Sequence, residues 1–227
     1  MLPREITFDL YEAFIDAYYR YSQCVGSAVA RMLPPGRGGV FVDAGAYIGF
    51  KALGFADYIG PQGKVLMIEI CGENEALARR NISQNRLDNR ITSFNSAIWK
   101  EAGEMTDRSR GYSAHTLVET SEHMNWHGRS TVAARTLDSI FTEAGLDEIN
   151  YLNLQLNGAE LEALEGLSRY FDRVQVIRSA GQFTRDGVLG MHLVADHLEA
   201  RGCYVERKRN TVLAVTPRFR ARYLGAC

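Results

Sequence analysis

Few features of this sequence point to a specialised class of protein. Its 227 residues include only five prolines and four cysteines, and no apolar run reaches the roughly 20 residues that a membrane-spanning helix needs. Lys and Arg (26) nearly balance Asp and Glu (27), so no overall charge favours nucleic acid. We see no secretory signal pattern. We therefore expect a cytoplasmic protein that acts on a small molecule, without nucleic acid or a membrane as partner.

The cysteines are also poorly placed for a structural role. Cys24, Cys71, Cys203 and Cys227 form no CxxC pair and no other metal-ligand spacing. We predict free thiols in a reducing compartment and no metal site. Cys71 lies just after a strand that we place beside a cofactor, although the thiol would also fit there as a small buried hydrophobic side chain.

What is present indicates one globular domain. Hydrophobic residues make up 46% of the chain and charged residues 23%, which is enough for a sizeable core. The stretch "LPPGRGG" at residues 33–39 is the clearest break. Before it, apolar residues at three-to-four spacing predict a helix over Phe8 to Met32 that the following prolines end. We divide the chain into an N-terminal helical preface, 1–38, and one compact unit, 39–227.

Within 39–227, short apolar runs alternate with longer amphipathic ones, as in a parallel sheet covered by helices. The final run "CYVERKRNTVLAVTP" indicates an antiparallel hairpin around Arg209 and Asn210. This pattern predicts an α/β fold of the Rossmann-like class I methyltransferase type. The predicted strands are Val40 to Asp43, Lys64 to Glu69, Ile91 to Ala97, Tyr151 to Leu156 and Val174 to Arg178; the predicted helices are Ile48 to Tyr58, Glu73 to Arg86, Thr136 to Ala144, Glu160 to Tyr170 and Leu189 to Arg201.

The strongest local motif is "VFVDAGAYIGFKAL". An apolar strand ends in Asp43, and Gly45 and Gly49 then allow backbone N–H groups to approach a ligand closely. The spacing is not the GxGxxG of NAD enzymes, and Asp43 would repel a pyrophosphate. Glu69 ends the next strand, about where an acid binds a ribose diol. The motif favours S-adenosylmethionine; a tight turn with a solvated strand end is the structural alternative.

Several blocks together resemble the FkbM family of S-adenosylmethionine-dependent methyltransferases. They are "FVDAGAYIGF", "VLMIEICGENEALARRNISQN", "FNSAIW", "TLDSIF" and "YLNLQLNGAELEALEG". The resemblance implies O-methylation of sugars or natural products, and a cofactor with its methionine end near Asp43, its ribose on Glu69 and its adenine near residues 95–97. The predicted cofactor-binding residues are Asp43, Gly45, Ala46, Tyr47, Gly49, Glu69, Ser96 and Ala97.

The chain departs from the family pattern at four positions. Gln155 stands where the family strand tip has an acid, and Asn157 where Glu or Gln is common. Ala180 stands where a Glu is usual, and Tyr47 where an Asn is usual. Methyl transfer to a hydroxyl needs a proton acceptor, and an amide offers none at pH 7. Gln155 and Asn157 are therefore predicted to orient the acceptor, unless they only satisfy polar neighbours in an inactive site.

The polar segment "RSRGYSAHTLVETSEHMNWHGRS" is long for a connection, as substrate-covering loops are. His115 is our candidate for the missing general base, although a loop histidine is commonly exposed and without a role. Tyr112, Ser113 and Arg178 are candidate substrate contacts.

Two classes of function remain open from the sequence. The first is methyl transfer to a hydroxyl or amine of a small metabolite or natural-product intermediate. The second is a methyltransferase scaffold that has been repurposed, either for cyclisation or elimination in biosynthesis or as a noncatalytic partner of another protein. The sequence leaves open whether the chain forms a homodimer or binds a protein partner.

Overall fold

The structure, a computed structural model, describes residues 26–109, 115–118 and 128–225. The strands are, in chain order, β1 (Val40–Ala44), β2 (Lys64–Glu69), β3 (Ile91–Asn95), β4 (Ala97–Ile98), β5 (Gly103–Ser109), β6 (His115–Thr116), β7 (Gly128–Arg135), β8 (Ile149–Leu154), β9 (Val174–Ala180), β10 (Thr184–Arg185), β11 (Val188–Leu189), β12 (Tyr204–Lys208) and β13 (Thr211–Val215). The helices are α1 (Ser27–Met32), α2 (Phe50–Ile59), α3 (Gly72–Gln84), α4 (Leu137–Glu143), α5 (Glu160–Glu165), α6 (Gly190–Ala200) and α7 (Arg220–Leu224), with 3-10 turns at Phe171–Arg173 and Pro217–Phe219.

The central sheet has the strand order β3-β2-β1-β8-β9-β13-β12 in the described part of the chain. The five strands from β3 to β9 are parallel, whereas β13 pairs antiparallel with both β9 and β12. This is the predicted mostly parallel sheet with a C-terminal antiparallel hairpin. The α/β class I methyltransferase fold is therefore confirmed.

Both faces of the central sheet are buried, which is why its parallel strands are almost continuously apolar. Successive residues face opposite layers: Phe41 packs with residues of α1, α2 and α3, and Val42 packs with residues of α4, α5 and α6. On β8, Tyr151 packs in the same layer as Phe41, and Leu152 packs in the same layer as Val42. Among the described residues, no helix combines the length and apolar character required to cross a bilayer.

Most predicted helices occur within a few residues of their expected bounds, and two need comment. Helix α5 ends at Glu165 rather than near Tyr170, because Gly166 follows and the Asp138 carboxylate accepts the backbone N–H groups of residues 168–170 in a turn. Helix α1 agrees with the end of the predicted N-terminal helix, which stops before the two prolines. The rest of that prediction lies outside the described residues.

A second sheet, with the order β4-β7-β5-β6, was not predicted from the sequence. The predicted strand Ile91 to Ala97 is in fact two strands, because Ala97 pairs with Ala134 of β7 and leaves the central sheet. Strands β5 and β7 are mostly polar and exposed on one face, so they carry little apolar signal. They lie where we predicted only a long polar connection. The second sheet brings β6 towards the carboxyl edge of the central sheet.

Candidate functional site

A cleft of about 250 Å³ opens at the carboxyl edge of the central sheet, where β1, β2 and β8 end. Ligands of open α/β sheets bind at this edge. Described residues that line it come from these strand ends, from the start of α2 and from the segment 115–118. They are Asp43, Gly45, Ala46, Tyr47, Phe50, Lys51, Ile68, Glu69, Ile70, Asn74, Ser96, Ile98, His115, Thr116, Leu117, Gln155, Leu156, Asn157 and Ala159.

Asp43 is fully buried at the floor of the cleft and is only half satisfied. Its Oδ1 accepts a hydrogen bond of 2.8 Å from Asn153 Nδ2, whereas its Oδ2 has no hydrogen-bond partner among the described residues. Burial raises the pKa of the Asp43 carboxyl, and the charges of Lys51 and Arg178 oppose that shift. A buried carboxylate oxygen without a partner is costly, so Asp43 suits a cationic or N–H-bearing ligand group.

The loop after β1 can reach the tip of β8 only because Gly45 lacks a side chain. Gly45 has a φ of +82°, and a Cβ there would lie 2.0 Å from the carbonyl oxygen of Gln155. Gly49, with a φ of +85°, directly precedes α2. Gly49 does not line the cleft; its contribution is to turn the chain into the helix. The close approach of the two strand ends therefore depends on backbone that only glycine adopts easily.

Glu69 is buried at the end of β2, 5% exposed, and binds two backbone N–H groups. Its Oε2 accepts from the N–H of Tyr47 at 2.8 Å and its Oε1 from the N–H of Cys71 at 3.0 Å. Burial raises the pKa of the Glu69 carboxyl, while these hydrogen bonds oppose the shift. The carboxylate thus fixes the loop on one side and the start of α3 on the other, with acceptor capacity left for a ligand.

Lys51 is a residue of the cleft that the sequence analysis overlooked. It lies in the first turn of α2, and its Nζ donates a 2.6 Å hydrogen bond to Oε1 of Gln155. The amide at the tip of β8 is therefore held in place by a cation. An acid at position 155 would instead pair its charge with Lys51.

Asn157 is hydrogen-bonded to β6 through both its side chain and its main chain. Its side-chain Nδ2 donates to the main-chain carbonyl oxygen of His115 at 2.9 Å, and its main-chain carbonyl oxygen accepts from the Thr116 hydroxyl at 2.8 Å. Its φ of +52° is unusual for a residue other than glycine. Asn157 lines the cleft, and these bonds join the tip of β8 to β6; its role in orienting the acceptor stays a prediction.

His115 is paired with an acid that no sequence pattern indicated. Its Nδ1 lies 2.7 Å from Oδ2 of Asp107, which is 4% exposed on β5. The hydrogen bond to Asp107, followed by one to Cys71, raises the pKa of His115 to about 10. The ring is then protonated at neutral pH and cannot accept a proton. This pairing does not support the predicted role of general base at neutral pH.

The Glu160 carboxylate shapes the turn between β8 and α5. It accepts the backbone N–H groups of Leu156 at 2.8 Å and Gly158 at 2.9 Å, and it is 3% exposed. Burial raises its pKa to about 7. The "NGAE" block therefore has a structural role next to the cleft. These two hydrogen bonds fix the turn that presents residues 155 and 157.

The remaining predicted contacts divide into three groups. Ser96 and Ala46 line the cleft, whereas Ala97 is buried behind it in β4. Arg178 does not line the cleft; its guanidinium donates to Asn153 Oδ1 at 2.8 Å and so supports Asp43 through that amide, which we had not identified. Tyr112 and Ser113 lie outside the described residues.

Residues 43–201 match the methyltransferase FkbM domain. The chain belongs to the FkbM methyltransferase family. The match covers both acids of the cleft and the "NGAE" turn. S-adenosylmethionine is the cofactor of this methyltransferase fold, as the glycine loop and the two acids predict.

Solved structures of methyltransferases share the fold. The FkbM methyltransferase from Methylobacillus flagellatus KT aligns with a TM-score of 0.54 at 18% identity, covering 79% of this chain and 44% of that chain. This FkbM-family chain thus spans less than half the length of that relative. Cofactor-bound Rv0187 from MTB aligns with a TM-score of 0.51 at 15% identity, covering 92% of this chain and 88% of that one. No curated protein matches the chain significantly.

Proposed function

We propose that this chain transfers the methyl group of S-adenosylmethionine to an oxygen or nitrogen atom of a small molecule, with a hydroxyl or amine as the acceptor. The observation that carries the proposal is the buried Asp43 carboxylate with one unpaired oxygen, at the floor of a cleft whose other carboxylate is Glu69. Two acids separated by a glycine loop match a cofactor that has an ammonium group and a ribose diol. A cytoplasmic location is part of the proposal.

The residues of the cleft fit this cofactor. Asp43 Oδ2 would accept from the ammonium group of the methionine end, and the Glu69 carboxylate, which also binds the Asn74 side chain, retains acceptor capacity for a ribose hydroxyl. Gly45, Ala46 and Tyr47 would form the wall between them, and Ser96 would lie near the adenine. When bound, the cofactor supplies an electrophilic methyl group on a sulfonium sulfur. The chain's own contribution is to hold and align the two reactants.

The acceptor side of the cleft carries cations and amides. Lys51 holds Gln155, and the protonated His115 lies on the neighbouring segment. Among the described lining residues, Asp43 and Glu69 are the only carboxylates, and both are assigned to the cofactor. An acidic hydroxyl, which ionises without a carboxylate base, suits these surroundings best. Lys51 and His115 would stabilise its negative charge and lower its pKa.

A repurposed scaffold is the second candidate, and one observation favours it: the tip of β8 carries Gln155 instead of an acid, and Lys51 binds that amide. Such a protein would keep the fold and perform cyclisation, elimination or a noncatalytic role. Restoring the acid separates the candidates. If Gln155 orients the acceptor, Gln155→Asp should not improve methyl transfer, because the new charge would pair with Lys51.

The decisive experiment has two stages. Calorimetry on cofactor-stripped protein with S-adenosylmethionine and S-adenosylhomocysteine should give micromolar or tighter binding to both. Release of S-adenosylhomocysteine is then measured against a panel of phenols, carboxylates, alcohols and amines. Turnover that favours acidic oxygen acceptors supports the proposal. Absence of cofactor binding refutes it, and binding without turnover on any acceptor favours the repurposed scaffold.

A further inference from the structure

A row of polar side chains crosses the central sheet at the floor of the cleft. Asp43 on β1 is the register partner of Asn153 on β8, and Asn153 is the register partner of Arg178 on β9. Asp43 and Asn153 share the face of the sheet on which Phe41 and Tyr151 lie, two residues earlier on each strand. The parallel strands therefore hold an acid, an amide and a cation next to one another.

Two hydrogen bonds in series join this row. The guanidinium of Arg178 donates to Asn153 Oδ1 at 2.8 Å, and Asn153 Nδ2 donates to Asp43 Oδ1 at 2.8 Å. Asp43 is 0% exposed and Asn153 is 1% exposed, so bulk water cannot replace the bond between them. Arg178 is partly exposed at the other end of the series.

The direction of the series is set by Arg178. A guanidinium carries donors and no acceptor, so it binds the oxygen end of the Asn153 amide, and the NH2 end must then face Asp43. An NH2 group donates to an ionised carboxylate oxygen, whereas a protonated carboxyl can also donate its own O–H to an amide oxygen. Without Arg178, the amide is free to turn over and bind a neutral Asp43. Arg178 thus favours the ionised acid.

The charges that face Asp43 act in the same direction as the amide. Burial is the largest effect and raises the pKa of Asp43, while the charge of Lys51 from α2, the bond from the amide and the charge of Arg178 oppose it. On β2 the register partner is the apolar Met67, and the other carboxylate of the cleft, Glu69, is bound by backbone N–H groups. Lys51 lines the cleft, whereas Arg178 does not. Arg178 therefore acts on Asp43 from outside the ligand's space.

We propose that Arg178 is a positioning residue for cofactor binding, which acts through Asn153 to hold Asp43 as an ionised acceptor for the ammonium group of the cofactor. Asp43 Oδ2 has no hydrogen-bond partner among the described residues, so the series ends in an open acceptor at the floor of the cleft. The effect on the cofactor rests on the proposed function, whereas the effect on the ionisation of Asp43 does not.

The test compares Arg178→Met, which removes the donor and the charge, with Arg178→Lys, which keeps both. Calorimetric titration with S-adenosylhomocysteine at pH 6 should give a Kd at least roughly tenfold higher for Arg178→Met than for the parent, because a neutral Asp43 loses its attraction to the ammonium group. The difference should shrink towards pH 8.5 as Asp43 ionises in both proteins. Arg178→Lys should restore most of the affinity. Arg178→Gln is a second neutral variant, with the same expected loss, in case Arg178→Met does not fold.

Arg201→Met is the matched control. Arg201 is also a partly buried arginine, and its guanidinium donates to the carbonyl oxygen of Leu167 at 2.7 Å, outside the lining of the cleft. Both Met variants should lose stability in urea unfolding, and only Arg178→Met should lose affinity. A folded neutral variant at position 178 that binds as tightly as the parent at every pH would overturn the proposal. An equal loss of affinity in Arg201→Met would also overturn it, since general destabilisation would then explain the effect.

The ionisation of Asp43 is measured separately, without cofactor. The 13C NMR signal of its carboxyl, assigned with Asp43→Asn, should titrate at a higher pH in Arg178→Met than in the parent, and near the parent in Arg178→Lys. An unchanged midpoint would overturn the proposal whatever the affinities are. If the parent binds no S-adenosylhomocysteine but the midpoint moves as expected, the proposed function fails while the control of Asp43 by Arg178 stands.

Discussion

Replacing Glu69 by Gln tests the cofactor site with the smallest change of shape. The carboxylate accepts the N–H groups of Tyr47 and Cys71, one on each oxygen. In Gln, one oxygen becomes an NH2 group that faces an N–H group and can no longer accept. Loss of charge-assisted hydrogen bonds to a ribose diol should cost about 1.5 to 3 kcal/mol, which is roughly 10- to 100-fold in Kd.

The same substitution should also weaken the fold, because one of the two backbone N–H groups loses its acceptor at a cost of about 1 to 3 kcal/mol. Glu75→Gln is the matched control. Glu75 is also buried, at 7% exposed against 5% for Glu69, but it bonds to Arg79 and Ser93 and does not line the cleft.

Both variants are measured by urea unfolding and by calorimetric titration with S-adenosylhomocysteine. We expect both to lose stability and only Glu69→Gln to lose affinity. A folded Glu69→Gln protein that binds S-adenosylhomocysteine as tightly as the parent would remove Glu69 from the site. An equal loss of affinity in Glu75→Gln would assign the effect to general destabilisation.

Three further predictions follow from the same edge of the sheet. Gly45→Ala should destabilise the protein by roughly 1 to 3 kcal/mol or more in urea unfolding, because its Cβ would lie 2.0 Å from the Gln155 carbonyl oxygen. Gly103→Ala is the control, because a Cβ there meets nothing within 4 Å. Equal losses of stability in the two variants would contradict this reasoning. Burial raises the pKa of the Glu160 carboxyl from 4.5 to about 7, so the native state binds this proton more tightly than the unfolded chain does. The stabilisation from the bound proton is complete below pH 4.5 and is lost as the pH rises through 7. The free energy of unfolding of the parent should therefore fall by up to about 3 kcal/mol more than that of Glu160→Gln between pH 4.5 and 8, and parallel pH curves would refute this. Because the hydrogen bond to Asp107 is the main cause that raises the pKa of His115 to about 10, the NMR chemical shifts of the His115 ring should not titrate between pH 6.5 and 8.5. Asp107→Asn should move this titration towards neutrality. A parent midpoint near pH 6.5 would refute the prediction.

The cofactor half of the site was largely predictable from the sequence. Asp43, Gly45 and Glu69 each end or follow an apolar strand, and the carboxyl ends of parallel strands meet at one edge of the sheet. That inference needs only the strand pattern, which is strong here because both faces of the sheet are buried. The antiparallel hairpin was predictable for a similar reason, as two strand-like runs flank a short polar turn.

The acceptor half depends on contacts that no local pattern records. Lys51 and Gln155, which are hydrogen-bonded, are 104 residues apart in the sequence. His115 meets Asp107 only because β5 and β6 pair, and these strands are too short and too polar to give a hydrophobic period. The sequence alone therefore determined the parallel sheet and its ligand-binding edge, through apolar strands and the residues that end them. Only the tertiary structure decided that the histidine is paired with an acid, because hydrogen bonds between polar side chains depend on how separate strands come together.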